Sequence, residues 1–304
     1  MNVTVIGYGS IGARHARILK EMGENVSVVS RHTDEWKKSY SDLESAVEIE
    51  QPQYIVVANK TQEHYETLVQ LVEIGFYGKV LVEKPLFHRA TSLFAHQFSQ
   101  FCVAYNLRFH PVLQRIKQEI RDEKVLSVQV YAGQYLPDWR PERDYRKSYS
   151  ISRHEGGGVL RDLSHELDYL VWLFGESKSV VALGGHYSDL EIETEDIVSI
   201  LFSTKRCPSI SLQLNYLDKI GQRKLIINTA HHTFTADLVV GSLMKDSEIL
   251  VLGEIAKDHT YTQQHLSILR GKAENLCTAE EGFQTLQMID AIESSIDTQQ
   301  WVIS

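Results

Sequence analysis

An aspartate and a histidine three positions apart follow a run of three glycines near the middle of the chain. The glycines are 156–158, and Asp162 and His165 come next, on a predicted helix that ends at Gly175. Apolar residues recur at helical spacing on one side of this helix, which places Asp162, His165 and Tyr169 on the other. Imidazole changes charge near neutral pH, so such a pair can exchange a proton with a substrate. The alternative is an ordinary solvated helix face.

The triple glycine itself predicts a place where backbone meets a ligand. Glycine lacks a side chain that would block a close approach, and the start of the following helix is expected to offer free amide N–H groups. On this interpretation residues 156–168 form the reactive wall of an active site.

A glycine-rich turn at the N-terminus indicates a nucleotide site. The apolar run 3–6 leads into the GxGxxG pattern of residues 7–12, and a predicted helix follows. In this context the glycines permit a tight turn, the approach of a pyrophosphate and close packing of helix on strand. The residues expected to contact the dinucleotide here are Gly7, Gly9, Ser10, Ile11 and Gly12.

The end of the second predicted strand bears on which dinucleotide binds. An NAD site places a carboxylate there to hold the ribose diol, whereas this chain has Ser30, Arg31 and His32. A guanidinium can pair with the 2′-phosphate of NADP. NADP is therefore the predicted cofactor and NAD the alternative.

Two further strand ends carry polar residues. Asn59, Thr61 and His64 follow one predicted strand, and Glu83, Lys84 and Pro85 follow the next. Ligands bind at the carboxyl ends of such strands, and proline holds the lysine in an extended segment. All these residues except Pro85 are expected at the cofactor, with Lys84 at the nicotinamide. Helix capping by Thr61, a surface position for His64 and simple surface charge for Lys84 are the alternatives.

The order of predicted elements indicates two domains. Strands alternate with helices up to residue 110, with a further helix over about 88–101, which is typical of a doubly wound parallel Rossmann sheet. From residue 111 to 304 strands dominate, which predicts an α+β domain on an open, largely antiparallel sheet. One face of that sheet packs on the 156–175 segment, and the other is free for a second copy of the chain.

The segment 136–146 between the first two strands of the second domain is rich in aromatic residues and arginines. Aromatic faces and guanidinium groups suit sugars, carboxylates and phosphates. Trp139, Arg140 and Tyr145 are expected to bind the substrate. An ordinary exposed crossover is the alternative interpretation.

Composition narrows the function classes. The 304 residues are 43% hydrophobic and 23% charged, with a formal net charge of −9. A nucleic acid or an anionic membrane would need a basic surface, so small molecules are the expected partners. The three cysteines show no metal or disulfide spacing, and no signal peptide or membrane span is recognisable. A cytoplasmic protein without a metal site is expected.

Taken together, these motifs resemble the Gfo/Idh/MocA oxidoreductase family. The resemblance rests on the glycine turn, Glu83-Lys84-Pro85, a predicted strand over 105–109 and the 156–168 segment. It implies an NAD(P)-dependent dehydrogenase or reductase with Lys84, Asp162 and His165 at the nicotinamide, and it adds Arg108 to the expected substrate contacts. Family members commonly space the acid and the histidine by four positions, whereas here they are three apart, so Glu166 is an alternative to Asp162.

The expected function is hydride transfer between the cofactor and a secondary alcohol or ketone of a sugar, cyclitol or nucleotide sugar. Segment 136–149 is similar to that of members found with bacterial surface-sugar pathways. His165 would exchange the proton and Lys84 would polarise the reacting oxygen. Two alternatives remain: an NADP-binding regulator without turnover, and an eliminase or hydrolase of sugars that uses tightly held NAD.

Overall fold

The structure is a computed structural model that describes residues 1–31, 36–90 and 92–303. Contacts divide the chain into two compact units, Met1–Phe109 with Lys257–Phe283, and His110–Ala256 with Gln284–Ser304. No sequence pattern indicated that residues 257–283 pack with the first unit. The predicted domain boundary between residues 110 and 111 stays a prediction.

The first unit alternates buried strands with helices, as its sequence pattern predicts. Strands such as β4 consist of consecutive apolar residues because both faces of the sheet are covered. In chain order the elements are β1 (Asn2–Ile6), α1 (Ser10–Glu21), β2 (Asn25–Val29), β3 (Ser39–Tyr40), α2 (Leu43–Glu50), β4 (Tyr54–Val57), α3 (His64–Glu73), β5 (Lys79–Val82) and β6 (Gln100–Val103). α2 begins at an N-cap, Asp42, whose carboxylate accepts a hydrogen bond from the Ser45 amide.

The sheet of the first unit confirms the predicted Rossmann arrangement. Its order is β6-β5-β4-β1-β2-β3, all parallel, and β15 (Cys277–Thr278) adds an antiparallel edge strand next to β6. Ile6 is level with Val29 and Val57, and Val57 with Val82. Consequently, the residues that follow these four strands emerge along one edge of the sheet.

Two predicted elements of the first unit are wrong. Among the described residues 88–90 and 92–99 there is no helix, and residues 106–109 form a short 3-10 helix, not a strand. The apolar residues that suggested a helix instead join an aromatic cluster, in which Phe94 packs on Tyr65 and Phe98 packs on Phe76. Tertiary packing therefore overrides the local pattern there.

The second unit is built on a nine-stranded sheet, with the order β14-β13-β12-β11-β7-β10-β9-β8-β16. Only β7 and β10 pair in parallel among its described ladders, so the predicted, largely antiparallel sheet is confirmed. The strands are β7 (Val125–Gly133), β8 (Ser177–Gly185), β9 (Ile197–Thr204), β10 (Ile210–Asn215), β11 (Gln222–Thr229), β12 (Thr233–Asp237), β13 (Ser242–Lys245), β14 (Glu248–Leu252) and β16 (Val302–Ile303).

Side chains alternate between the two faces of this sheet. Ala182, Ile200, Leu212, Val130 and Leu225 lie side by side in register and are all buried. The neighbouring row, which includes Leu201 and Ile226, is exposed. One face therefore belongs to the core, as strand periodicity requires.

Five helices complete the described secondary structure apart from short 3-10 turns. They are α4 (Pro111–Glu119), α5 (Val159–Asp162), α6 (His165–Phe174), α7 (His259–Leu269) and α8 (Ala279–Thr298). The single helix predicted over Asp162 and His165 is thus two helices, which are interrupted at residues 163 and 164. Across the described residues, no helix has both the length and the hydropathy needed to cross a bilayer.

Candidate active site

The turn after β1 is built by its glycines. Gly7 has a φ of +91°, and a Cβ on it would lie 2.5 Å from the Asn59 amide nitrogen. A Cβ on Gly12 would lie 1.9 Å from the Gly7 carbonyl oxygen. Gly9, in contrast, has open space around its missing side chain. Two glycines are thus needed for close packing, and the middle one leaves room beside the start of α1.

This turn fits the pyrophosphate of a dinucleotide. Gly9 is the N-cap of α1, no side chain caps the helix, and its first turn has no acidic residue. The amides of Ser10 and Ile11 stand at this start, where the helix dipole favours an anion. The predicted nucleotide site therefore has both the space and the donors that it needs.

The end of β2 lies at the same sheet edge. The Ser30 amide donates to the Tyr40 carbonyl at 3.0 Å, which fixes the backbone, and the Arg31 side chain is exposed. His32 lies outside the described residues. Arg31 is thus available to a ligand, in agreement with its predicted role.

The residues after β4 form a braced connection. The Asn59 side chain donates to the Thr67 hydroxyl at 2.8 Å, and Thr61 begins a short 3-10 helix. His64 is buried, with Nδ1 at 3.1 and 3.2 Å from the carbonyl oxygens of Leu86 and Pro85. Burial lowers the pKa of His64. Its imidazole ties this connection to the segment that carries Lys84.

A chain of buried hydrogen bonds runs inward from Glu83. One carboxylate oxygen lies 2.7 Å from His15 Nε2, and His15 Nδ1 lies 2.8 Å from His265 Nε2. His265 Nδ1 lies 2.9 Å from the Tyr54 hydroxyl. The other Glu83 oxygen accepts the Lys84 amide at 3.1 Å.

The direction of this chain follows from its carboxylate end. A carboxylate only accepts, so His15 Nε2 donates to Glu83, and a neutral His15 accepts at Nδ1. His265 then donates a hydrogen bond from Nε2 to His15 Nδ1 and accepts one at Nδ1 from the Tyr54 hydroxyl. Burial, with His15 beside it, holds the pKa of His265 well below its usual range, and burial raises the pKa of Tyr54. His265 therefore stays neutral and Tyr54 stays protonated, while the hydrogen bond from His15 holds Glu83 from one side.

Arg108 lies away from this sheet edge, in the interior of the first unit. It is 1% exposed, forms a 2.7 Å ion pair with Glu281 and donates to the Leu276 carbonyl. These contacts hold its guanidinium at Leu276 and Glu281.

In the second unit, Asp162 is held by two tyrosines. The Tyr149 hydroxyl donates to one carboxylate oxygen at 2.6 Å and the Tyr216 hydroxyl to the other at 2.7 Å. Burial and the neighbouring Asp162 raise the pKa of Tyr216 well above its usual range, so it remains a donor. Two short hydrogen bonds to a charged acceptor fix the position of this carboxylate.

His165 begins α6, directly after the two-residue break that follows α5. Its neighbour Glu166 is fully buried and forms a 2.5 Å ion pair with Arg223. Tyr169, predicted on the exposed face, is fully buried as well. Glu166 is thus committed to the interior, which leaves Asp162 as the acid with a side chain near the loop region of Tyr149.

The triple glycine has a different role from the one predicted. A Cβ on Gly157 would lie 2.2 Å from the Tyr149 carbonyl oxygen, and one on Gly158 would lie 2.3 Å from Glu195 Oε1. Glu195 also accepts the Leu160 amide at the start of α5. The glycines therefore admit other parts of the same chain, and at the start of α5 the Leu160 amide donates to the Glu195 carboxylate and the Val159 amide to the Glu195 backbone carbonyl.

The predicted specificity segment surrounds a cavity. Trp139 donates from Nε1 to the Gln134 carbonyl at 3.1 Å and packs edge-on against Tyr216 at 5.3 Å. The Tyr145 hydroxyl accepts the Glu191 amide. Arg140 is exposed and lines the cavity together with Trp139 and Tyr145. The structure thus connects Trp139 through Tyr216 to Asp162.

Comparison with protein families places this arrangement among known ones. Residues 1–99 match the oxidoreductase family with an NAD-binding Rossmann fold, GFO/IDH/MocA, and residues 113–234 match the GFO/IDH/MocA C-terminal domain. The chain belongs to the Gfo/Idh/MocA family. The predicted resemblance is thereby confirmed, as is the NAD-binding character of the first domain.

Three proteins are similar to this Gfo/Idh/MocA chain, one in sequence and two in fold. An uncharacterized oxidoreductase of Synechocystis sp. is 26% identical over 200 residues, 60% of this chain and 53% of that protein, so the chain spans about half of that relative's length. The structure of levoglucosan dehydrogenase with NADH and levoglucosan is 17% identical, covers 100% of this chain and 99% of that one, and has a TM-score of 0.85. WlbA dehydrogenase of Bordetella pertussis, with NADH and UDP-GlcNAcA, is 18% identical, with coverages of 100% and 97% and a TM-score of 0.79.

Sequence reasoning missed several residues of this Gfo/Idh/MocA site. His15 lies on the buried face of α1 between Gly12 and Leu19, a polar residue in an apolar stripe, and that position was a usable signal. Tyr216 directly follows the alternating residues of β10. No local pattern indicated His265, because its partners are 211 and 250 positions away.

Proposed function

We propose that this Gfo/Idh/MocA protein transfers a hydride between NADP and a secondary alcohol or ketone of a sugar, cyclitol or nucleotide sugar. The observation that carries the proposal is the sheet edge of the first unit, where an uncapped helix start and the space at Gly9 accompany Glu83 and Lys84. When bound there, the nicotinamide supplies the hydride chemistry. The protein positions the substrate and moves the proton.

Lys84 and His165 have separate tasks in this reaction. The Lys84 ammonium stabilises the negative charge that develops on the substrate oxygen. His165 exchanges the proton of that oxygen, since imidazole serves as acid and base near neutrality. Asp162, fixed by Tyr149 and Tyr216, orients the reacting group.

The preference for NADP rests on Ser30 and Arg31. Neither side chain repels the 2′-phosphate, and the exposed guanidinium can pair with it. The solved relatives with NADH support the alternative, NAD, for members of this fold. Asn59, Thr61 and Glu83 complete the proposed cofactor contacts at the sheet edge, and His64 holds the segment behind Lys84.

The sugar class is supported by the aromatic segment with Trp139 and Tyr145, and by relatives solved with sugar substrates. A role in surface-sugar biosynthesis in the cytoplasm is part of the same proposal. The exposed apolar residues Leu183, Leu201 and Ile226 support association of two copies through the open sheet face. Light scattering of the purified protein tests that association.

The test of the function is direct. Purified protein is mixed with NADP⁺ or NAD⁺ and a panel of neutral, acidic and nucleotide-linked sugars, and reduced nicotinamide is followed by its absorbance. Ligands that survive purification are identified by mass spectrometry. Turnover with exchangeable cofactor supports the proposal. A bound dinucleotide without turnover over the whole panel contradicts it and favours a regulator, and cofactor that never exchanges favours the eliminase or hydrolase.

A further inference from the structure

A cavity of about 350 Å³ lies within the segment between β7 and α5. Its walls include Trp139, Arg140, Arg143, Tyr145, Lys147 and Tyr149. All these residues belong to the second unit, so the cavity is complete within that unit. Its volume is at the lower end of the range for small-molecule sites and matches a single sugar ring with one substituent.

The charges around this cavity are unbalanced. Arg140, Arg143 and Lys147 line it, and among residues 1–31, 36–90 and 92–303 none of them forms a salt bridge within 4.0 Å, although Lys147 attracts the Asp144 carboxylate over a longer distance. Asp144 is the one acidic residue in the described lining. The walls therefore carry an excess of positive charge.

The acidic residue, Asp144, is already paired with a fourth cation of the segment, Arg146. Arg146 donates to both oxygens of Asp144, at 2.8 and 3.0 Å, and to Glu191 at 3.1 Å. These contacts hold the pKa of Asp144 below its usual range, so Asp144 is ionised and paired. It leaves Arg140, Arg143 and Lys147 for a ligand.

The aromatic walls are fixed in place. Trp139 is held by its indole hydrogen bond and by Tyr216, and Tyr145 by the Glu191 amide. Aromatic faces pack against the C–H face of a sugar ring. Tyr149, which lines the cavity, donates to Asp162. The cavity wall therefore leads directly to the acid proposed to orient the reacting group.

We propose that this cavity is a subsite for an anionic group, and that the substrate is a sugar that carries a carboxylate or a phosphate. The inference rests on the proposed function and adds a substrate class to it. It also adds Arg143 and Lys147, which the sequence analysis did not single out, as residues that determine specificity. A neutral sugar would leave three cations without partners, whereas a carboxylate or phosphate takes two charge-assisted hydrogen bonds from a guanidinium.

The experiment compares ligands that share one ring and differ in charge. Glucose, glucuronate and glucose 6-phosphate are titrated by calorimetry into the protein that has been saturated with NADP⁺. The variants are Arg143→Gln, Lys147→Gln and their combination, and the control is Lys178→Gln, which removes an exposed lysine of the same unit that does not line the cavity.

At least one anionic ligand should bind about tenfold or more tightly than glucose, because a hydrogen bond to a charged group contributes roughly tenfold to a hundredfold in affinity. The combined variant should remove that advantage and spare glucose, and Lys178→Gln should change neither. The preference should also weaken with salt, since these cations are exposed. Comparing the affinity for glucuronate with that for glucose 6-phosphate shows whether the subsite prefers a carboxylate or a phosphate.

Equal affinity for all three ligands, no binding of either anion at millimolar concentration, or equal effects of the combined variant and the control would each overturn the inference. Weakened NADP binding in the combined variant, with sugar binding intact, would overturn it too and assign the cations to the cofactor. Discrimination between charged and neutral ligands without any hydride transfer would keep the anion subsite and contradict the proposed function instead.

Discussion

In the first unit Glu83 is linked by hydrogen bonds to a chain of three buried side chains, His15, His265 and Tyr54, whereas in the second unit Arg140, Arg143 and Lys147 stand exposed around a cavity. The first arrangement is rigid because each polar atom of the chain has one partner and solvent is excluded. The second has cations that can adapt to a ligand. We infer that the cofactor side is fixed in advance and that the substrate side determines specificity.

Asp162 lies between these two extremes. It belongs to the second unit, yet two buried or half-buried tyrosine hydroxyls fix both of its oxygens. A group that takes part in chemistry gains from such fixed partners, because a small displacement of a reacting group is costly in rate. Under the proposed function, Asp162 would act at the reacting atoms and the exposed cations would recognise the rest of the substrate.

The largest expected effect is that of Lys84→Ala. Removal of the ammonium should lower kcat/KM by at least about 100-fold, in the range of charge-stabilising and acid–base groups, and should leave the affinity for the cofactor nearly unchanged. Steady-state kinetics and cofactor titration measure the two quantities. Lys272→Ala, a change of an exposed lysine in the same unit, is the control. Near-normal turnover of Lys84→Ala would remove this lysine from the mechanism.

The second prediction concerns the pair in the second unit. His165→Ala should lower kcat by about 100-fold and alter the pH profile near neutrality, and Asp162→Asn should lower it by about tenfold without moving that pH dependence. Tyr216→Phe leaves the carboxylate with one tyrosine partner and should have a smaller effect in the same direction as Asp162→Asn. The measurement is kcat over pH for the wild type and the three variants.

An unaltered pH profile in His165→Ala would show that the proton travels elsewhere. Glu166→Gln is a different case, because Glu166 is fully buried and the change leaves the half-buried Arg223 without its charged partner. We expect that variant to unfold at a lower temperature, while its kcat per folded molecule changes little. A stable Glu166→Gln protein with strongly reduced kcat would return Glu166 to the mechanism.

Sequence patterns predicted the elements that depend on local periodicity. The apolar runs of β1, β2, β4 and β5 and the glycines of residues 7–12 are short-range signals, and the turn that these glycines form follows from steric rules. The strands of the second unit alternate with a period of two, which is equally local. The hairpin of β13 and β14 was missed because most of its residues are exposed or half-buried and lack that pattern.

The candidate site was predicted less completely, because its partners come from distant parts of the chain. Nothing near residues 156–158 indicated that Glu195 would cap α5, so the glycines were assigned to a ligand. Likewise, no local pattern indicated that Arg108, a predicted substrate contact, would pair with Glu281. Motifs predict Lys84, Asp162 and His165 as site residues, whereas the partners of these residues required three-dimensional structure.

The third prediction tests whether Arg31 sets cofactor choice. Arg31→Ala should weaken NADP binding by about tenfold, since one charge-assisted contact to the 2′-phosphate is lost, and should spare NAD. Fluorescence titration with both cofactors gives the two dissociation constants. Lys37→Ala, an exposed cation a few residues further on, is the control for a general loss of positive charge. A wild type that prefers NAD would refute the predicted NADP preference.

The smallest expected effect concerns the buried chain and the pH dependence of stability. The pKa of His265 is lowered in the folded state, so above about pH 6.5 neither state holds the extra proton and the group adds no pH dependence. Below that pH the unfolded chain takes up a proton that the folded protein refuses. Stability therefore falls as the pH decreases towards the folded pKa, by at most about 1.4 kcal/mol per pH unit for one proton.

His265→Gln should reduce this slope, because glutamine does not titrate and can still hydrogen bond to its neighbours. The urea midpoint of the first unit, followed at about pH 7.5 and about pH 5.5, should fall less between the two conditions in the variant than in the wild type. His64, also buried with a lowered pKa, contributes in the same direction and should keep a residual slope in the variant. If both proteins lose the same stability on acidification, protonation of His265 does not cause the loss of stability at acidic pH. The contrast between the buried chain near the proposed cofactor site and the exposed cations near the proposed substrate site would then rest on geometry alone.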